Sequence, residues 1–317
     1  MTRPLAILRS VGAVWIAAIG LYLISGFISP AMFQLGQVLN ILQVASFLGV
    51  IAAGQTIAVL TGGIDLSQAG VVTLTNIVAT SIMLSQPENI PAAIVVVLVL
   101  ALLVGLANGF LVTAVGVTPL IATLGMNSVL FGAALVYTGG APSGGTPVEF
   151  QIIGTGSLFG IPNPALIWLG LSLGLLVLTR RTSYGRRLYA TGANPRAAEM
   201  MGVNVGRTIV SAYVLSALMA ALGALLLTAY VGAPSLGIGN QFLLTAVAAV
   251  VVGGAALTGG SGSVVATMGG AIFITELSSF TNIIQVSTGT QFVIQGALIL
   301  VSVLVYRALV AMPDAKA

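Results

Sequence analysis

Three hundred and seventeen residues would suffice for about two soluble domains, but the composition excludes them. The chain is 58% apolar and 5% charged, against about 25% charged residues in a soluble domain, and its mean hydropathy is +1.14. That is too little charge to coat a globule in water, so the surrounding solvent is lipid.

The absence of His and Cys excludes a Ser-His-Asp triad, imidazole or thiolate metal sites, and disulfides. The six acidic residues Asp65, Glu88, Glu149, Glu199, Glu276 and Asp314 are too dispersed for a metal cluster. No G-x-x-x-x-G-K-[ST] sequence occurs, and the only lysine is Lys316. The chain therefore does not read as an enzyme, and ATP hydrolysis is not expected from it.

A hydrocarbon core of about 30 Å needs about 20 apolar residues per helix. In chain order the apolar runs predict spans over Leu8–Ile28, Ile41–Leu60, Gly70–Leu84, Pro91–Leu111 and Pro119–Tyr137. They continue over Leu166–Leu178, Ile209–Tyr230, Gln241–Val252, Val264–Asn282 and Gln291–Val310. The result is an all-α integral membrane protein of about ten spans, forming one domain over 1–317. The third, sixth and eighth spans are short enough to be broken or partial.

The net charge of +4 is not spread as a nucleic-acid surface would be. Arg3 and Arg9 precede the first span and Arg307 and Lys316 close the last. Between them Thr179–Thr208 gathers Arg180, Arg181, Arg186, Arg187, Arg196 and Arg207 against Glu199. Six crossings precede this loop and four follow it, so all basic regions fall on one side, the cytoplasm. The first span has no A-x-A-like site after it and reads as an uncleaved anchor. Thr138–Pro164, rich in Gly and Pro, becomes an irregular external loop with a short helix lying on the membrane.

Leu60-Thr61-Gly62-Gly63 and Leu257-Thr258-Gly259-Gly260 each separate two apolar runs on the cytoplasmic side, as in a parallel duplication. Small residues at four-residue spacing (Ala45, Gly49, Ala53; Ser216, Ala220, Ala224; Gly262, Ala266, Gly270) predict close helix packing.

In Thr61–Ser67 the paired glycines break the preceding helix, and Asp65 or Ser67 can cap the next one. Such a break is also tolerated where it lines a translocation path. In the basic loop, Asn194 suits an N-cap, Pro195 a first helical position and Gly202 a stop. These residues predict a helix of about two turns whose apolar face, drawn from Ala197, Ala198, Met200 and Met201, docks into a partner. Arg196 and Glu199 stand i,i+3 on it. Glu276, the only residue charged at neutral pH between Arg207 and Arg307, is costly within a span and so is a functional candidate. Asn76, Asn108 and Asn127 either bridge helices or face a pore.

The segments Thr61–Ser67, Gly109–Gly125, Arg181–Val205 and Ala246–Gly262 together resemble the membrane permeases of bacterial ATP-binding-cassette importers for monosaccharides. This is the ribose/arabinose/xylose class, which includes autoinducer-2 permeases. The resemblance runs from about Asn40 to Tyr306. It implies a dimerising ten-helix permease, paired with a second copy or a paralogue, that receives solute from a periplasmic binding protein. Coupling to a cytoplasmic ATPase subunit, which holds ATP and Mg, would run through Asn194–Gly202; no cofactor belongs to this chain. The pattern departs where ribose-type members carry acids and this chain has Leu243 and Thr245, and where they carry paired Asn and this chain has Ser278 and Ser279 beside Glu276. Asp65, Ser67, Asn76, Asn127, Thr245, Glu276, Ser278 and Ser279 are the translocation-path candidates. An ion-coupled transporter using Asp65 and Glu276 is the alternative.

Overall fold

The computed structural model describes residues 3–300 apart from 288, 292, 295, 298 and 299, with side chains from residue 12 onward. The tenth expected span, Gln291–Val310, lies largely outside the described residues.

The first half comprises α1 (Arg3–Ile28), α2 (Leu35–Leu60), α3 (Gln68–Met83), α4 (Ile90–Phe110) and α5 (Pro119–Thr138). A short α6 (Val148–Thr155) and a two-residue hairpin, Ser157–Leu158 against Ile161–Pro162, follow. Then come α7 (Asn163–Arg181), α8 (Ser183–Ala193), α9 (Pro195–Met200), α10 (Val205–Val231), α11 (Phe242–Val252) and α12 (Val264–Ile283). In lipid only helices satisfy every backbone group internally, and six of these segments are long and apolar enough to cross.

Helix α2 is the centre. Every residue from Ala45 to Leu60 is buried, the mark of a helix apolar on all sides. It is surrounded by α10, α12, α11 and α7. The outer helices α4 and α5 present Val95, Val99, Leu103, Phe110 and Val136 outward, side chains that lipid tails would cover.

Glycine sets how closely the helices approach. A Cβ on Gly105 would lie 2.5 Å from the Val214 Cα, and one on Gly109 would lie 2.7 Å from the Val210 Cα. This Gly-x-x-x-Gly pair seats α4 on α10. Gly49 leaves room for the Trp168 indole of α7, and Gly270 for the Ala249 carbonyl of α11. The small-residue rows thus pack helices within one chain.

One face of helix α6 packs on the protein: Phe150 is buried and Gly154 lies against the backbone of Ala229 and Tyr230 on α10. Two expectations are corrected. The sixth span is full length, 19 residues, with Pro164 in the first turn, where its missing N–H costs nothing. The stretch from Ser183 to Ala193 is the helix α8, not loop. Thr182 caps it by accepting the Gly185 N–H, and Leu188 and Thr191 face inward while Arg186 and Arg187 face out.

The eighth span is partial, as expected. Gly145 N–H donates to the Thr80 carbonyl at 3.1 Å, and Thr146 N–H to the Gly232 carbonyl at 3.2 Å. From there the chain descends beside α3. Ser235 N–H donates to Asn76 Oδ1 at 2.8 Å, and Gly239 N–H to Thr73 Oγ1 at 3.2 Å. From Thr80 to Thr73 the helix α3 advances about 10 Å, so α11 starts deep. Its eleven residues cover about half of the roughly 30 Å core.

Gly105→Leu should destabilise the detergent-purified protein by about 1–3 kcal/mol through overpacking. Gly125→Leu, which meets open space, should leave the unfolding temperature within a degree or two of the parent; equal losses at the two sites would dismiss the α4–α10 seat.

Candidate functional site

Where α2 ends, the chain runs through Thr61–Ser67 without helical bonding, and a buried polar knot replaces the missing partners. Asp65 is 1% exposed. Its Oδ1 accepts the Ser67 N–H at 3.1 Å and the Ser67 hydroxyl, an Asx turn that starts α3. Its Oδ2 accepts the Ser216 hydroxyl of α10 at 2.6 Å. Ser216 accepts in turn from Gln68 Nε2 at 3.0 Å, which also reaches the Ile51 carbonyl. Gln55, its amide oriented to satisfy both ends, donates to the Asp65 carbonyl at 2.9 Å and accepts the Asp65 N–H at 3.1 Å. Asn108 of α4 donates to Ser67 Oγ at 2.8 Å. Asp65 and its hydrogen-bonded neighbours thus tie together α2, α3, α4 and α10, and the carboxylate oxygens are taken up by hydroxyl and N–H donors.

A separate cavity of about 420 Å³ lies between α2, α10, α11 and α12, beside the descending segment. Phe47, Leu48, Leu227 and Phe242 form apolar walls. Gln241, Thr245, Thr275, Ser278, Asn282 and Gln291 supply hydroxyl and amide groups. No charged side chain lines it among the described residues. Its volume is within the usual range for small-molecule sites, about 300–1,000 Å³. Irregular backbone at membrane depth is tolerated where it lines such a space.

The candidates therefore separate. Thr245 and Ser278 line the cavity. Asp65 and Ser67 belong to the knot. Asn76 is buried and pins the descending segment with both ends of its amide: Oδ1 takes the Ser235 N–H, and Nδ2 donates to Thr228 Oγ1 and the Ala233 carbonyl. Asn127 is half-buried on α5 beside Gly70. Ser279 accepts from Gln37 Nε2 at 2.6 Å. Glu276 is 2% exposed and faces another pocket, about 270 Å³, lined by Trp15, Tyr22, Ile41 and Ile272. Asp65 and Glu276 thus face different surroundings. Thr275, Asn282, Gln241 and Gln291 were missed. On α12 the spacing Thr275, Ser278, Asn282 is i, i+3, i+7, a polar stripe at helical period that could have found three of the cavity's polar residues.

At the arginine-rich end of the molecule, Asn194 Oδ1 accepts the Ala197 N–H at 3.1 Å with Pro195 in the first turn of α9. Gly202, at φ +80°, closes it: Gly202 N–H bonds the Glu199 carbonyl and Val203 N–H the Ala198 carbonyl, a Schellman stop. The expected docking face is rotated. Ala198 is 2% exposed and turned toward its own chain, whereas Met200 and Met201 are 85% and 81% exposed, with Arg196 and Glu199 exposed beside them. The difference arises because so short a helix needs an anchor, and Ala198 is its buried residue.

Asp65→Ala would strand the Ser67 and Ser216 donors in the interior, costing about 3 kcal/mol. Asp65→Asn keeps one acceptor and should cost less. Thermal unfolding in detergent checks both, and an Ala variant as stable as the parent would show the knot to be incidental.

The sequence matches the family described as branched-chain amino acid transport system / permease component over residues 37–303. It is 36% identical to the ribose import permease protein RbsC of Bacillus subtilis, covering 90% of this chain and 89% of that one. It is 37% identical to the Haemophilus influenzae protein of the same name, covering 92% and 91%. The autoinducer 2 import system permease protein LsrD of Escherichia coli is 31% identical over 88% and 86%. No solved structure matches. With the family matched along most of a multi-span helical chain, the protein belongs to the branched-chain amino acid transport system / permease component family of membrane permeases.

Proposed function

We propose that this chain is the translocation subunit of an ATP-driven importer for a monosaccharide or a similar neutral, hydroxyl-rich solute. The observation that carries the reading is the cavity of about 420 Å³, walled by Phe47 and Phe242 and furnished with Thr245, Thr275, Ser278, Asn282 and Gln291. Apolar faces with hydroxyl and amide groups suit a polyol, which has an apolar ring face and a rim of donors and acceptors. A free amino acid brings two charges, and no charged side chain among the described residues awaits them in the cavity. The relatives named as ribose import permeases support the same substrate class.

In this reading a periplasmic binding protein delivers solute to the outer end, where Gly145, Gly232 and the start of the descending segment meet. Two permease chains, identical or paralogous, form the pore in a bacterial inner membrane, with both termini cytoplasmic. A separate ATPase subunit, carrying the ATP and Mg, seats Met200 and Met201 in an apolar groove. Arg196 and Glu199 complement its charges at the rim.

Three measurements test this. Met200→Glu with Met201→Glu should abolish co-purification with the ATPase while leaving membrane abundance unchanged, because both side chains point into solvent. Reporter fusions after Gly145 should read periplasm and those after Arg187 cytoplasm. Proteoliposomes holding permease, ATPase and binding protein should import a labelled pentose or hexose when ATP is present and not with leucine as the solute. Leucine uptake, or sugar uptake on an ion gradient alone, would overturn the proposal.

A further inference from the structure

Three backbones meet at the cytoplasmic end with no side chain between them. Leu60-Thr61-Gly62-Gly63 follows α2, Leu257-Thr258-Gly259-Gly260 follows α11, and the last turn of α8 crosses both. Gly260 N–H donates to the Leu60 carbonyl at 3.0 Å, joining the two turns directly. Gly192 of α8 fills the angle between them: a Cβ there would overlap both the Leu60 oxygen and the Gly260 nitrogen. A Cβ on Gly259 would lie 2.7 Å from the Gly62 nitrogen and 3.0 Å from the Gly192 Cα. Three residues before Gly192, the Tyr189 hydroxyl donates to the Gly262 carbonyl at 2.9 Å. Burial holds that hydroxyl above its ordinary pKa of 10, more than the Arg180 guanidinium lowers it, so it remains a donor at neutral pH.

The mechanical consequence follows from what separates the parts. A side chain between two elements can change rotamer and absorb a shift of an ångström. Apposed backbones cannot, and close-packed interiors transmit strain. Helix α8 is joined to α9 by the single extended residue Asn194, which ends the first helix and caps the second. The two turns it touches end α2 and precede α12, and both of these helices wall the cavity, as does α11.

We propose that Gly192 and Tyr189 are positioning residues for coupling, passing a displacement of the α8–α9 unit to both Gly-Gly turns in one motion. The two halves of the chain then move together, and the walls on α2 and on α11–α12 shift in step rather than in sequence. This rests on the reading of α9 as the ATPase-docking element.

The test uses the complete complex of permease, ATPase and binding protein in proteoliposomes, recording solute imported per ATP hydrolysed and the unfolding temperature. Tyr189→Phe removes one hydrogen bond and keeps the ring. Solute per ATP should fall about fivefold, with co-purification unchanged and the unfolding temperature lowered by no more than the few degrees that one lost hydrogen bond explains. Gly192→Ala should fall further, beyond about tenfold, since it forces the turns apart. If Gly192→Ala does not fold, Tyr189→Phe still decides. An unchanged solute-to-ATP ratio in Tyr189→Phe overturns the proposal, whether or not its unfolding temperature drops, because a merely structural bond would move stability alone. Failure of the underlying reading looks different: Met200→Glu with Met201→Glu would then retain the ATPase.

Discussion

In a bilayer, backbone that leaves the helix must be satisfied by the protein itself, because no water is at hand. Among the described residues, three such breaks each have their own remedy. At Thr61–Ser67 it is the Asp65 carboxylate together with Gln55. Along Gly232–Gln241 it is the side chains of α3, with Asn76 and Thr73 meeting the N–H groups of Ser235 and Gly239. Between α11 and α12 it is the end of α2, with Gly260 N–H donating to the Leu60 carbonyl. Around these three repairs the remaining helices pack, largely through missing Cβ atoms.

The repairs also decide what Asp65 can do. A carboxylate buried among donors from Ser67 and Ser216 is fixed in place by geometry that any approaching cation would have to dismantle. Its value is organisational: it sets where α3 begins and how α10 lies against α2. The cavity, by contrast, is furnished by neutral groups on α11 and α12, whose hydrogen bonds are mostly to carbonyls one turn back, as from Thr245 to Gln241 and Ser278 to Ile274. A hydroxyl that donates to a carbonyl one turn back, as that of Thr245 does, still has lone pairs to accept with.

Much of this was legible in the chain. Runs of twenty apolar residues, prolines at helix starts and the clustering of arginines are local signals, and the spans they predict match α1 to α5, α7 and α10 to α12 within a few residues. Asn194, Pro195 and Gly202 mark α9 by the same local chemistry. What escaped depends on partners distant in sequence. Ala198 looks like any apolar residue of a docking face until the rest of the chain is folded beneath it. Asp65 and Glu276 are alike in rarity, yet one is saturated by a serine 151 positions away and the other faces an apolar pocket under α1. The helix α8 was obscured because its arginines suit a solvated loop equally well; only the inward row of Gly185, Leu188 and Thr191 separates the two.

The junction of Gly62, Gly192, Gly259 and Gly260 has a bearing on how such a protein can change over generations. Residues with side chains can be exchanged by small steps in volume, each tolerated, until a new preference emerges; the hydroxyls and amides around the cavity are open to that kind of drift. Glycine offers no smaller neighbour and only one larger step, and here that step meets backbone on two sides. The walls of the cavity are therefore free to diversify, while the glycine junction is held still. A lineage built this way can reshape the one without rebuilding the other.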